Sequence, residues 1–266
     1  MTAVDSPAPL GTLLRDWRQR RRLSQLDLAL EAGVSARHLS FLETGRSKPS
    51  REMVLHLAEE LDVPLRERNR MLLAAGYAPA YEERPLEAPA LEPVREALDQ
   101  VLAGHEPYPA AVIDRWWNLV AANRSTALFT RDVAPELLEP PANVLRISLH
   151  PEGLAPRIAN LAEWRAHLLD RLRREVAATA DARLAALREE VAAYPSPAAP
   201  APELPARGAI AVPLRLRAGD GELTFFSTVA TFGTAIDVTV AELSIEAFFP
   251  ADAATAAALR DVLPQG

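Results

Sequence analysis

The chain has 266 residues, 49% of them hydrophobic, and a formal net charge of −7, so it is long enough for two domains and too acidic overall to be coated for nucleic acid. Cysteine is absent, which excludes a disulfide framework, Cys-ligated zinc and a thiol sensor. No apolar run approaches the ~20 residues of a membrane span, and the opening MTAVDSPAPLG lacks the parts of a secretory signal, so a cytoplasmic protein with no membrane partner is expected.

The charge is uneven. Residues 1–80 carry a balance of +2 and the remainder −9, and the run Arg18, Arg20, Arg21, Arg22 gives the first part a local positive surface. From Leu23 to Pro49 the chain reads LSQLDLALEAGVSARHLSFLETGRSKP, two short amphipathic helices joined at a glycine. Ser24 is placed to cap the first of them, with Leu26, Ala29 and Leu30 at i, i+3, i+4 as its inward face. Gly33 sits where the chain must reverse, and Val34 fills the corner. Ser35 caps the second helix, whose Leu39 and Leu42 face inward and whose Ala36, Arg37, Ser40 and Phe41 face out.

That is the pattern of a helix-turn-helix, whose second helix presents its outer face to the major groove. Arg37 has the planar fork that reads guanine O6 and N7. Phe41, one turn later, either meets a thymine methyl or packs on a neighbouring helix, and His38 lies to the side of the same face.

Residues 11–75 resemble the lambda-repressor-like, XRE-type DNA-binding domain: GTLLRDWRQRRRLS as a first helix, then SQ, AG-V-S, E-x-G-x-x-x-P and the amphipathic GRSKPSREMVLHLAEELDVP agree in order and spacing. The resemblance implies that Gln25 contacts a phosphate and that Ser35, Ala36, Arg37 and Phe41 stand at base-reading positions. It implies also that Arg18 pairs with Glu43, holding the recognition helix and turning the arginine toward a phosphate. Arg46, Ser47 and Lys48 form a loop suited to the DNA backbone.

The proline- and acid-rich stretch 82–93 is read as a linker, which gives a DNA-binding domain over 1–81 and a second domain over 94–266. In the second domain Val94–Leu102 is an expected helix, followed by a strand, a turn at Asp114 and Arg115, a strand from Trp117 to Ala121, and a helix from Asn123. A long helical stretch follows, then a proline-rich loop over 194–208. Beyond it AIAVPLRLRA, ELTFFSTVATFG and DVTVAELSIEAFF alternate as three strands, with GDG at a turn, and ALRDVL ends the chain as a helix. The fold class is therefore α+β: an all-α five-helix domain followed by an antiparallel sheet with helices.

With IDRWWNLVAANRSTALF and NVLRISLHPEGLAPRIANLAEWRAHLLDRLRRE, nearly the whole chain resembles the MmyB-like (MltR-type) transcription regulators. The resemblance implies a PAS-like C-terminal domain that takes up a small, lipid-like molecule such as a fatty acid. Aromatic residues including Trp116, Trp117, Phe129 and Trp164 are candidates for an apolar cavity, and Asn118, Asn123, Arg146, His150 and Arg157 are its polar candidates. Arginine in such a place would clamp a carboxylate.

No HExxH, GxSxG or glycine-rich phosphate loop is present and the five histidines are scattered, so neither catalysis nor a metal site is expected, and no cofactor beyond a bound apolar molecule. The partners expected are a double-stranded operator, a small-molecule effector and a second copy of the chain, with Phe248, Phe249 or the sheet edge as the interface. The alternative is a constitutive DNA-binding regulator whose second domain only dimerises it.

Overall fold

The computed structural model describes residues 8–195, 212–219 and 221–262. The chain forms two units: residues up to Pro85 together with Thr234–Ala241, and Leu86–Gly233 together with the residues from Glu242 onward.

The first unit holds the five expected helices: α1 (Leu10–Arg20), α2 (Gln25–Glu31), α3 (Ala36–Glu43), α4 (Arg51–Glu60) and α5 (Leu65–Ala74). Serines start three of them, since Ser24, Ser35 and Ser50 each accept from the amide three residues on, and Asp27 returns the bond to the Ser24 amide in a capping box. Gly33 takes φ +62°, the left-handed turn its position required.

One expected face is wrong. Ala29 is buried as expected, but Leu26 is 59% and Leu30 72% exposed, and the core takes Leu28 and Ala32 in their place. Both stripes satisfy helical spacing, and the neighbours gathered in the core decide between them. The core joins these to Leu14, Trp17, Leu39, Leu42, Leu57 and Leu72, among others.

The segment expected to be a linker is largely built in. Glu82 bridges Asp237 in parallel fashion, the Val238 amide donates to the Glu82 carbonyl (2.8 Å), and the Thr239 hydroxyl donates to the Arg84 carbonyl (2.6 Å). Asp237, buried, accepts from the Arg84 guanidinium at 3.2 Å and from the Thr239 amide at 2.9 Å. Residues 89–91 make a 3-10 turn that runs straight into the next helix.

In the second unit α6 (Glu92–Gly104) precedes β1 (Ala110–Ile113) and β2 (Leu119–Ala122). The short helices α7 (Ala127–Thr130), α8 (Pro135–Leu138) and α9 (Val144–Leu149) lead to the long α10 (Leu161–Thr179) and to α11 (Ala182–Ala192). The helix expected from Asn123 is thus a 3-10 turn followed by one turn of α-helix.

Strands β3 (Leu214–Ala218) and β4 (Gly221–Thr231) follow. The expected third strand DVTVAELSIEAFF is instead a single helical turn, α12 (Val238–Ala241), which belongs to the first unit, and then β5 (Ser244–Pro250). Asp237 caps that turn through the Thr239 amide, which is why alternation alone misled. Helix α13 (Ala253–Val262) starts earlier than ALRDVL. The proline-rich loop expected over 194–208 lies, beyond residue 195, outside the described residues.

The five strands are antiparallel in the order β2-β1-β5-β4-β3. The PAS-like arrangement of one curled sheet with helices is therefore present. One apolar cluster joins Ala110, Val112 and Ile245 to Leu98 and Leu102 of α6. The larger one joins Ile113, Leu214, Leu216 and Phe225 to the buried stripes of α9, α10 and α11.

Candidate nucleic-acid interface and ligand cavity

In the first unit α3 is held from beneath by one buried carboxylate. Glu43 accepts from Arg18 Nε (2.6 Å) and from its second terminal nitrogen (3.0 Å), and from Gln25 Nε2 (2.8 Å), while Arg15 Nε lies 3.5 Å away. The remaining Arg18 nitrogen donates to the Leu23 carbonyl at 2.8 Å. Burial pushes the Glu43 carboxyl up, but the hydrogen bonds from Arg18 and Gln25 and the neighbouring charges outweigh it and hold the group below the usual carboxylate range. The bond to Glu43 likewise raises the Arg18 guanidinium.

Above this anchor the outer face of α3 carries Arg37, exposed, with its guanidinium 5.3 Å from the centre of the Phe41 ring. Arg46 and Lys48 are exposed on the following loop, and the Lys48 ammonium stands 5.9 Å over Tyr77.

The second unit encloses a narrow cavity of about 80 Å³ on the inner face of its sheet. Trp117, Phe129, Leu145, Trp164 and Phe248 are part of its apolar wall, and Glu246 is the one charged residue among the described lining residues. The turn that delivers Trp117 is tied by Asp114, which accepts from the Trp116 amide (2.8 Å) and the Asn118 amide (2.9 Å). Trp117 itself sits at φ +67°, a strained conformation for a bulky side chain. Its indole N–H donates to Glu175 (2.7 Å), and the Arg171 guanidinium lies 4.2 Å over its ring while bonding both Glu175 and Glu246.

Residues 94–262 match the MmyB-like transcription regulator ligand binding domain, and residues 14–68 match the helix-turn-helix family. The chain belongs to the MmyB-like transcription regulators. Over 106 residues it is 31% identical to an uncharacterized HTH-type transcriptional regulator, RghRB of Bacillus subtilis (strain 168), covering 40% of this chain and 68% of the relative. This regulator therefore pairs a DNA-binding helix-turn-helix with a ligand-binding domain.

The placement of the expected DNA-facing residues is mixed. Arg37, Arg46 and Lys48 are exposed, and Phe41 and His38 are half-buried. Ser35 uses its hydroxyl to cap the His38 amide, and Ala36 is half-buried against the core. Gln25 is turned onto Glu43. Arg18 is buried with each guanidinium nitrogen engaged, so it positions the helix and is not free to meet a phosphate as expected. The basic run is largely consumed as well: Arg21 donates to the carbonyls of Leu61 (2.8 Å) and Asp62 (2.7 Å), and with Arg20 flanks Trp17.

Of the expected ligand residues Trp117, Phe129 and Trp164 line the cavity and four do not. Trp116 and Arg146 border a separate shallow groove, where Arg146 is paired bidentately with Glu190 at 2.8 Å on both oxygens. Asn123 stitches the β1 end by accepting from the Ala110 amide and donating to the Tyr108 carbonyl. His150 accepts from the Glu152 amide and meets Tyr194 edge-on. Asn118 bonds Asp114 and Arg157 holds two backbone carbonyls, so neither polar candidate reaches the cavity wall. Phe248, a candidate for the interface between copies, is part of that wall.

Glu246 was missed. The only sign of it in the sequence is an acid two residues before Phe248 in SIEAFF, at the register that faces inward.

Proposed function

We propose that this regulator reads a specific operator through Arg37 and Phe41, works in the cytoplasm as a homodimer, and binds a small apolar molecule in the cavity of its second unit. The observation that carries the DNA half is exposed Arg37 set against half-buried Phe41 on a helix locked by Arg18 and Glu43. An arginine fork there reads guanine, and the ring beside it is suited to a thymine methyl. Lys48 and Arg46 stand where they would neutralise phosphates without reading sequence.

The ligand half rests on the apolar wall around Trp117 and on the strain stored at that residue. At about 80 Å³ the cavity favours a short molecule over a long acyl chain. A ligand alters DNA binding only by as much as its affinity differs between two arrangements of the protein. Phe226, partly exposed and stacked on Phe249 at 5.2 Å, offers an apolar patch for the second copy.

The test begins with selection of binding sequences from a random library, followed by titrations at several salt concentrations. Arg37→Ala is expected to relax preference at one base pair, a loss of about 1–3 kcal/mol of discrimination. Lys48→Ala is expected to weaken all sequences alike and to lower the salt slope by about one. Identical behaviour of the two variants would remove Arg37 from the role of reader.

A further inference from the structure

Besides its narrow cavity, the second unit has an open groove of about 840 Å³, and the two share no described lining residue. Phe129 of α7 belongs to the cavity and its neighbour Leu128 to the groove. Leu128, Leu223, Ala258 and Leu259 make part of the groove apolar, and four arginines border it: Arg124, Arg131, Arg157 and Arg217.

These cations are poorly matched by acids. Arg157, half-buried, donates to the carbonyls of Leu128 (3.1 Å) and Arg131 (2.9 Å). Arg217 donates to the carbonyls of Pro156 (3.1 Å) and Ile158 (3.3 Å), the two residues that flank Arg157. Both guanidinia are thus held by one turn, and among the described residues neither forms an ion pair. Arg124 and Arg131 reach Glu106 and Asp132 only at 3.9 Å. The other acid of the groove, Glu222, is bonded through both oxygens (2.5 and 3.2 Å) to Arg215, which does not line it. Bonded glutamates raise the proton affinity of Arg18, Arg146 and Arg215. Arg157 shifts the other way: burial lowers it first, with the Arg131 charge adding to the effect and Asp132 opposing it. An anion in the groove would relieve this gathering of like charges, and Arg157 and Arg217, already held in place, would lose little freedom on binding it.

We propose that the groove is a second ligand site, for a small phosphate monoester with a compact apolar body. The arginines take the phosphate, and Leu128, Leu223 and Leu259 take the body. A phosphate carries a charge of about −1.5 to −2 and three acceptor oxygens, so it engages several guanidinia at once where a carboxylate saturates on one. The apolar lining and the concave shape favour a small molecule over the backbone of DNA, which gains nothing from leucines. What the narrow cavity holds has no bearing on this site.

The experiment is calorimetric titration of the full chain with hexyl phosphate, hexanoate and inorganic phosphate at constant ionic strength. Hexyl phosphate is expected to bind one-to-one and about ten-fold tighter than either of the others. Arg124→Gln with Arg131→Gln, which removes only loosely paired side chains, is expected to weaken it about ten-fold, and Arg157→Gln by at least as much. Arg146→Gln, in the same unit but outside the groove, is expected to leave it unchanged. Hexanoate or inorganic phosphate binding as tightly as hexyl phosphate would overturn the proposal, and so would an unchanged affinity in the double variant or an equal loss in Arg146→Gln. Failure of hexyl phosphate to bind would overturn it outright. In that case weaker binding of a short random duplex by the double variant would assign the arginines to the DNA backbone, and weaker binding of phosphatidate vesicles would assign them to a membrane surface.

Discussion

Arg18 and Glu43 illustrate how a buried ion pair contributes orientation more than stability. Their bidentate bond is desolvated on both sides, so its net worth is small while the cost of removing one partner is large. Arg18→Ala or Glu43→Ala alone is expected to cost about 3–5 kcal/mol by denaturant unfolding, because each leaves an unpaired buried charge. The double change Arg18→Met with Glu43→Met is expected to recover most of that stability while operator affinity stays low. Recovery of both together would mean that the pair has no part in aiming α3. The same carboxylate sets a pH dependence. Its folded value lies below the unfolded value of about 4.3, so its contribution is complete above that value and drains as pH falls through the lowered one. The difference in α3 hydrogen-exchange protection between the native chain and Glu43→Gln is therefore expected to be full at pH 6 and to shrink below pH ~4. This pair was legible only through family resemblance, since nothing in the spacing of Arg18 and Glu43 says that they meet. Gln25 as a third member was not legible at all, because its bond depends on how closely α2 lies against the end of α3.

Two glycines separate what a helix end needs from what helix packing needs. Gly33 holds φ +62° with open space where a Cβ would stand, so its requirement is conformational. Gly11 is helical, and a Cβ there would run into the backbone carbonyls of Glu43 and Leu42, so its requirement is room for α1 to lie across the end of α3. Gly33→Asn is expected to fold with a small loss, because asparagine tolerates the left-handed region. Gly11→Ala, although better suited to a helix, is expected to cost about 1–3 kcal/mol through overpacking and to lower DNA affinity as α3 tilts. Thermal melts and titrations of the two variants check both, and a stabilised Gly11→Ala would refute the packing account. Gly33 could be read from the sequence because turn chemistry is local. Gly11 could not, because the atom it avoids is 32 residues away. The misassigned face of α2 and the helical turn inside DVTVAELSIEAFF have the same origin: two local patterns fit, and tertiary neighbours choose. The helices α3 and α10 were readable because their apolar periodicity fits one face only, whereas the order of the strands in the sheet is not written in any local pattern.

At the scale of the molecule, the charge shift and the proline- and acid-rich stretch at 82–93 pointed to two parts, and the match over 94–262 and the five N-terminal helices agree with that division. What the sequence concealed is that the first part is not contiguous. Residues 234–241 leave between β4 and β5 to complete it, held by Asp237, Arg84 and Thr239, and no pattern announces a contact across 153 positions. Asp237→Asn is expected to lower hydrogen-exchange protection of 82–85 and 237–241 while leaving α1 to α3 unchanged. Loss of protection across all five helices would show that the segment carries the whole unit. A fragment ending at Pro85 is expected to keep its helical core, whose members all precede residue 81, and to bind an operator more weakly than the full chain. Equal affinity would deprive the second unit of a part in dimerisation.

The discontinuity also has a meaning in time. During synthesis at roughly 5–20 residues per second, the helical core is complete in sequence long before Asp237 is made, an interval of about 8–30 s. Through that interval Arg84 and Glu82 wait without their partners. The nascent chain thus carries an unfinished helix-turn-helix unit until nearly all of the ligand-binding domain has left the ribosome.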